Sequence, residues 1–374
     1  MRRPYAPDSS FYCFDFVKEN DLLHGGEIYD KKIEYDFSVN LNPYPCPMEV
    51  KSAINEAIKD IDKYPDMSQR EFRKAVSDAE NEYLKKCYDL EKSITPDMVI
   101  GGNGASELIF SIVRMINPKK VLIPVPSFYG YRHALNENIF VNEYMLRKEN
   151  DFALTEKFAD EITCDTDLVI IANPNNPTGK CIDGNMLEAI VKRCNETNTA
   201  LLIDECFLRL SDGDVSALGF INECNRLFVV SAYTKLFSVP GIRLGYVASS
   251  EKNIDKLRRF LPEWNLSVFA ERVGIACAGI LTGSDFEKKS KALIREERVN
   301  LTGALKEKGI RVYPSDANYI LVHSKSDLYE LLLGKGFLIR DCSNFKGLSK
   351  GFYRIAVKDK EANLEFINAL NAIV

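Results

Sequence analysis

Histidine and tryptophan are scarce in this 374-residue chain, with 3 and 1 copies. His24, His133 and His323 are too far apart in sequence for a zinc-ligand spacing, so no metal site is expected. The ten cysteines include no Cys-x-x-Cys pair, which points to free thiols. Cys164, Cys194 and Cys277 lie in apolar or helical surroundings and read as buried. No apolar run approaches the roughly 20 residues of a membrane span. Met1-Arg2-Arg3-Pro4 is followed by no apolar stretch, so a soluble, cytoplasmic protein without a secretory leader is expected. An excess of one charge is missing as well. The 49 basic and 54 acidic residues are interspersed, and no basic stripe is offered to nucleic acid. Internal repeats and low-complexity linkers are absent.

What is present is alternation. Apolar residues make up 45% of the chain, enough for a sizeable core, and the length suits two domains. Short apolar runs at Met98–Ile100, Lys120–Pro124, Phe140–Met145, Leu168–Ala172, Ala200–Ile203, Leu227–Ser231 and Leu244–Ala248 read as strands. Helical patterns such as Glu107–Met115 and Gly184–Asn195 fall between them. The pattern predicts an α/β fold whose mostly parallel, seven-stranded sheet lies between helices. Beyond Trp264 it changes to a smaller α+β unit, with helices over Phe269–Leu281 and Asp285–Lys308 and extended segments at Arg311–His323, Gly336–Cys342 and Phe352–Lys358. Residues 46–264 are expected to form the large domain. Residues 1–45, which include the segment Tyr35–Asn40, and residues 265–374 are expected to form the small one.

In such sheets ligands bind beyond the carboxyl ends of the strands, and five strings fall near strand ends. Ser231-Ala232-Tyr233-Thr234-Lys235 places a lysine after a strand, with Arg243 eight positions on. Partial desolvation there lowers an amine's pKa and frees a nucleophile. Arg243 with the hydroxyl of Ser231 or Thr234 suits a phosphate. Asp204 ends the strand of Ala200-Leu201-Leu202-Ile203, where a carboxylate is costly without a cationic partner such as a protonated pyridine. Asn173-Pro174-Asn175-Asn176-Pro177-Thr178-Gly179 is an irregular loop whose Asn176 can donate to a phenolate oxygen. Gly101-Gly102-Asn103-Gly104-Ala105-Ser106 leads into a helix and lets backbone N–H groups close on a phosphate. It lacks the third glycine of a dinucleotide fingerprint. Pro126-Ser127-Phe128-Tyr129-Gly130-Tyr131 supplies aromatics that can stack on a flat ring. Each string alone has a bland reading as a solvated loop, a turn or a core aromatic.

Taken in chain order, from the glycine loop at 101–106 through the aromatics at 126–131, Asn176 and Asp204 to Lys235 and Arg243, the five strings resemble the fold-type-I, aminotransferase class I/II family of pyridoxal-phosphate (PLP) enzymes, from about Asp36 to the chain's end. The resemblance implies an aspartate-aminotransferase-like fold with PLP on Lys235 through a Schiff base. It gives Asp204 the pyridine nitrogen, Asn176 the ring oxygen and Phe128 the ring face. Gly104, Ala105, Ser106, Thr234 and Arg243 would hold the cofactor phosphate. Tyr64, in Lys63-Tyr64-Pro65-Asp66, matches a family tyrosine that reaches the neighbouring subunit's phosphate, so a homodimer with shared sites is implied. Two positions depart from the family pattern. Phe207 stands where the family often has tyrosine, and Ala232 where it usually has serine or threonine; Ser231, one position earlier, is the candidate substitute hydroxyl if it points the same way.

Two subfamilies are similar: threonine-phosphate decarboxylases of cobalamin biosynthesis and histidinol-phosphate aminotransferases. The strings His24-Gly25-Gly26, Asp36–Pro43, Asp204–Phe207 and Ile339–Leu348 resemble the first. The substrate side would then be lined by His24, Asn40, Arg340 and Arg354, a set suited to a small phosphorylated amino compound. Breaking a bond to hydrogen at the amino carbon would give transamination, and breaking one to carboxylate would give decarboxylation. A PLP-binding protein without turnover is the alternative of another class. No helix-turn-helix extension accompanies it, and the catalytic residue types are all present.

Overall fold

The computed structural model describes residues 28, 31–88, 90 and 93–373. Its first strand is β1 (Tyr35–Asp36). A seven-stranded sheet follows, built from β2 (Val99–Gly102), β3 (Lys120–Val125), β4 (Phe140–Met145), β5 (Leu168–Ala172), β6 (Ala200–Asp204), β7 (Leu227–Ser231) and β8 (Gly245–Ser249). The spatial order is β2-β8-β7-β6-β5-β3-β4. Strands β3 to β7 pair in parallel, while β8 runs antiparallel to both of its neighbours.

The central strands β5, β6 and β7 are apolar up to their last residue because both faces are covered. Side chains alternate between those faces. Val169 and Ile171 join Leu187, Ile190 and Phe72 in one apolar cluster, while Leu168 and Ile170 join Leu108, Ile112 and Leu257 in another. The covering helices start on side-chain caps. Asp183 accepts from the Met186 N–H at the head of Gly184–Thr197, and Ser267 accepts from Ala270 at the head of Val268–Gly283. Helix Val268–Gly283 reaches helix Arg70–Tyr88 closely at Gly274, where a Cβ would sit 2.3 Å from the Phe72 ring.

The second part of the chain adds β9 (Arg311–Val312), β10 (Tyr319–His323), β11 (Phe337–Leu338), β12 (Arg340–Asp341) and β13 (Phe352–Ala356). Four of these form an antiparallel sheet in the order β12-β13-β10-β9. Strand β11 pairs in parallel with β1, which ties the segment Tyr35–Asp36 to this part. Helices Phe286–Glu307 and Lys360–Asn371 pack on it. The limits of β4, β5 and β7 are the expected ones, those of β2, β3, β6 and β8 differ by one or two residues, and Met98 belongs to a 3-10 turn ahead of β2. Cys194 and Cys277 are buried free thiols, but Cys164 is exposed. It stands in the polar turn Thr163–Asp165, tied by the Lys120–Asp165 ion pair, and not on the adjacent strand.

Candidate active site

A cavity of about 570 Å³ opens beyond the carboxyl ends of β5, β6 and β7. Lys235 faces it from the short helix Tyr233–Leu236. Burial holds its amine below the ordinary lysine pKa, and the charges of Arg354 and Arg243 push the same way. The Lys235 carbonyl is fixed by the Asn42 backbone N–H at 3.0 Å. The Asn42 side chain donates to the Leu236 carbonyl at 2.7 Å and to Ser290 Oγ at 2.8 Å. One buried asparagine thus binds the early segment, the lysine turn and helix Phe286–Glu307 together.

Asp204 ends β6 with its carboxylate in the same cavity. Oδ2 accepts from the Tyr131 hydroxyl at 2.7 Å, and Oδ1 accepts from the Cys206 N–H at 3.0 Å. Two donors therefore aim the carboxylate. Tyr131 is fully buried and sits edge-on to Phe128 at 5.4 Å between ring centroids. Phe128 lines the cavity. The role of Tyr131 was not read from the sequence, although its position three residues after Phe128 in a helical turn was a usable signal. Cys206 also lines the site, and its thiol pKa is raised by burial and by the adjacent Asp204.

Gly104, Ala105 and Ser106 open helix Gly104–Ile116 at the cavity wall, beside Thr234 and Arg243. First-turn amides have no intrahelical partner, and the helix terminus carries partial positive charge. Gly104 has φ +79°, and a Cβ there would lie 2.6 Å from Arg243 Nη2. Gly245 likewise leaves no room for a Cβ, which would meet the Ala105 nitrogen at 2.6 Å. The glycines thus let backbone, guanidinium and helix terminus converge into an anion cradle. Ser231 does not line this cavity. It faces a small gap on the other side of the sheet with Glu80, Glu205 and Arg209, because its strand neighbours alternate faces. The substitute-hydroxyl expectation for Ser231 is therefore corrected, and Thr234 is the hydroxyl at the cradle.

The opposite wall is cationic. Arg354 Nη1 donates to Asn176 Oδ1 at 2.6 Å, and Nη2 donates to the Ser38 carbonyl at 2.6 Å. The first contact fixes the Asn176 amide, leaving its NH₂ end for a ligand. The Asn40 amide oxygen, in its satisfied orientation, accepts from Arg354 Nε and Nη1 at 3.2 and 3.3 Å. Arg340 donates to the Asp341 carbonyl at 2.7 Å and to Asn344 Oδ1 at 3.0 Å. Burial lowers the pKa of both arginines. Phe207 lines the cavity edge-on to Tyr319 at 5.2 Å. Lys235 Nζ lies 5.8 Å from the centroid of the Phe207 ring.

Tyr64 does not line the cavity. It is 79% exposed and lies 4.7 Å from the Trp264 ring, centroid to centroid. His24 lies outside the described residues. Among those residues no group of three or more His, Cys, Asp or Glu side chains is placed to hold a metal, and no helix is long and apolar enough to cross a membrane.

The family model described as aminotransferase class I and II matches residues 32–370. A Caldanaerobacter subterraneus protein provisionally named threonine-phosphate decarboxylase is 35% identical over 371 residues, covering 96% of each chain. The threonine-phosphate decarboxylase of Salmonella typhimurium is 28% identical over 345 residues, covering 91% of each. Among solved structures, the histidinol-phosphate aminotransferase from Clostridium acetobutylicum is similar, with a TM-score of 0.80 and 32% identity over 91% of this chain and 98% of that one.

Proposed function

The chain belongs to the aminotransferase class I and II family, and within it we propose a PLP-dependent enzyme that decarboxylates a small phosphorylated amino acid such as threonine phosphate. The observation that carries the substrate class is the pair Arg340 and Arg354, two buried guanidiniums facing the cavity that holds Lys235. Buried cations side by side suit a doubly charged group such as a phosphate. The choice of decarboxylation rests on the likeness to proteins named threonine-phosphate decarboxylase.

The residues present fit PLP. The cradle of Gly104, Ala105, Ser106, Thr234 and Arg243 suits its phosphate, and Asp204 suits its ring nitrogen. The NH₂ of Asn176 suits its ring oxygen, and Phe128 suits its ring face. When bound, PLP supplies an electron sink for a bond at the substrate's amino carbon.

The chain's own groups do the rest. Lys235, its amine pKa lowered by burial, is the nucleophile and moves protons at its amine. Tyr131 and the Cys206 N–H keep the Asp204 carboxylate aimed toward a cationic partner. Arg340 and Arg354 grip the phosphate, which leaves the substrate carboxylate outside their hold and able to leave. If Arg354 held the carboxylate instead, a proton would be lost from the same carbon and the outcome would be transamination. Histidinol phosphate has no carboxylate on that carbon and can lose only the proton, and the likeness to a solved histidinol-phosphate aminotransferase supports that second reading.

Several further assignments belong to this proposal. Residues 46–264 form the cofactor domain, and residues 1–45 with 265–374 form the second domain. Two chains pair, with exposed Tyr64 reaching the neighbour's cradle. The nine free cysteines among the described residues suit the reducing cytoplasm.

The test supplies threonine phosphate and follows carbon dioxide and aminopropanol phosphate, with histidinol phosphate plus 2-oxoglutarate in parallel. Carbon dioxide from the first is expected. Glutamate from the second, without carbon dioxide from the first, would make the chain an aminotransferase.

A further inference from the structure

A second cavity, of about 500 Å³, lies behind Arg340. Phe128, Arg340 and Phe345 line both cavities, so the wall between them is one guanidinium flanked by two aromatic rings. Arg340 is held from the far side. Its Nη2 donates to Asn344, and its guanidinium lies 5.3 Å from the Phe345 ring centroid. Residues 343–348 supply the outer wall of the second chamber. This wall is a built feature. Phe345 is buried among Leu146, Phe152 and Phe352, and Gly347 has φ +86°, where a Cβ would lie 3.0 Å from the Met145 side chain.

The second chamber joins an apolar floor to a positive rim. Ile123, Val125 and Val141 come from the strand ends, and Arg132 and Lys346 stand at the rim. Glu143 is the one carboxylate in the lining, and it pairs with Lys346 at 3.3 Å. Arg340 and Arg132 therefore set a net positive field over an apolar pocket. Volume and lining are those of a pocket for an organic group of ligand size. A threonine phosphate seated against Arg340 has nothing to place there.

We propose that the second chamber is a subsite for an ester group on the substrate's phosphate, so that the enzyme accepts phosphodiesters. The amine end lies at Lys235, the bridging phosphate lies at Arg340 between the chambers, and an aryl or alkyl group fills the apolar floor. This deepens the proposed function and rests on its assignment of the phosphate to Arg340. A phosphodiester keeps one negative charge at neutral pH, which the Arg340 guanidinium can match in two-point fashion.

The test compares dimethyl phosphate and methyl phenyl phosphate, both singly charged diesters, as ligands of the holoenzyme by calorimetry. The wild-type protein is expected to bind methyl phenyl phosphate at least about tenfold tighter than dimethyl phosphate. Val141→Trp, which fills the floor, is expected to abolish that advantage and leave dimethyl phosphate unchanged. Ser343→Trp at the rim gives a second variant should the first fail to fold. An advantage that is absent, or that survives both fillings, overturns the chamber assignment while Arg340→Ala still weakens dimethyl phosphate. If Arg340→Ala leaves dimethyl phosphate binding unchanged, the assignment of Arg340 falls, and the two-chamber reading falls with it.

Discussion

Arg340 and Arg354 stand directly opposite each other in the antiparallel pair of β12 and β13, and both are more than nine-tenths buried. Like charges at facing sheet positions oppose each other, at about 0.2–1 kcal/mol even when solvated. A fold keeps such a pair where an anion repays the repulsion. Arg340→Met should therefore leave the ligand-free protein as stable or raise its melting midpoint by about 2 °C. The same change should raise KM for a phosphorylated substrate about 100-fold, equivalent to about 2.7 kcal/mol. Thermal melts and steady-state kinetics check both. A destabilised variant with an unchanged KM would make Arg340 a structural residue.

Tyr131 orients Asp204 without facing solvent, so its hydroxyl matters for aim and not for the fold at large. Tyr131→Phe keeps the ring packed against Phe128 and removes one donor from the carboxylate. The loss of a hydrogen bond to a charged group costs about 1.5–3 kcal/mol. The expected result is a fall in kcat of about tenfold or more with KM little changed. A shift in the pH dependence of the cofactor's visible band should accompany it, since the carboxylate is less firmly held. An unaltered kcat and spectrum would remove Tyr131 from the site.

Behind the sheet, Glu205 accepts from Ser216 Oγ at 2.6 Å and from the Ala217 N–H at 2.7 Å. Burial raises its pKa to about 7 from an ordinary 4.5, and Glu80 adds to the rise. Between these values the folded chain holds a proton that the unfolded chain has lost. Stability tied to this group is therefore full below pH 4.5 and declines as pH rises toward 7. Glu205→Gln carries no titrating proton there. Its stability relative to wild type should improve by about 3 kcal/mol between pH 4.5 and pH 8, read from urea unfolding at both pH values. A difference that does not move with pH would contradict the raised pKa.

Much of this architecture was legible in the chain, and the reasons are local. Strands β5, β6 and β7 announce themselves as unbroken apolar runs because both faces are covered. Lys235, Asp204 and Asn176 could be singled out because polar residues directly after such runs have few structural reasons to be there. Side-chain direction was harder to read. Ser231 and Thr234 look equally good as phosphate ligands in one dimension, but the strand's alternation sends Ser231 through the sheet toward Glu80. Tyr131 hid among three aromatics in one short string, and only the three-dimensional contact with Asp204 distinguishes it. The facing of Arg340 and Arg354 depends on a pairing register between short strands whose separation in sequence carries no such signal.

The account stands on Lys235 as the residue that carries the cofactor. Borohydride reduction of the PLP-loaded protein, followed by proteolysis and mass mapping, tests this directly. The account predicts a single pyridoxyl label on the peptide containing Lys235, lost in Lys235→Ala. A label on another lysine, or an undiminished label in that variant, would contradict it.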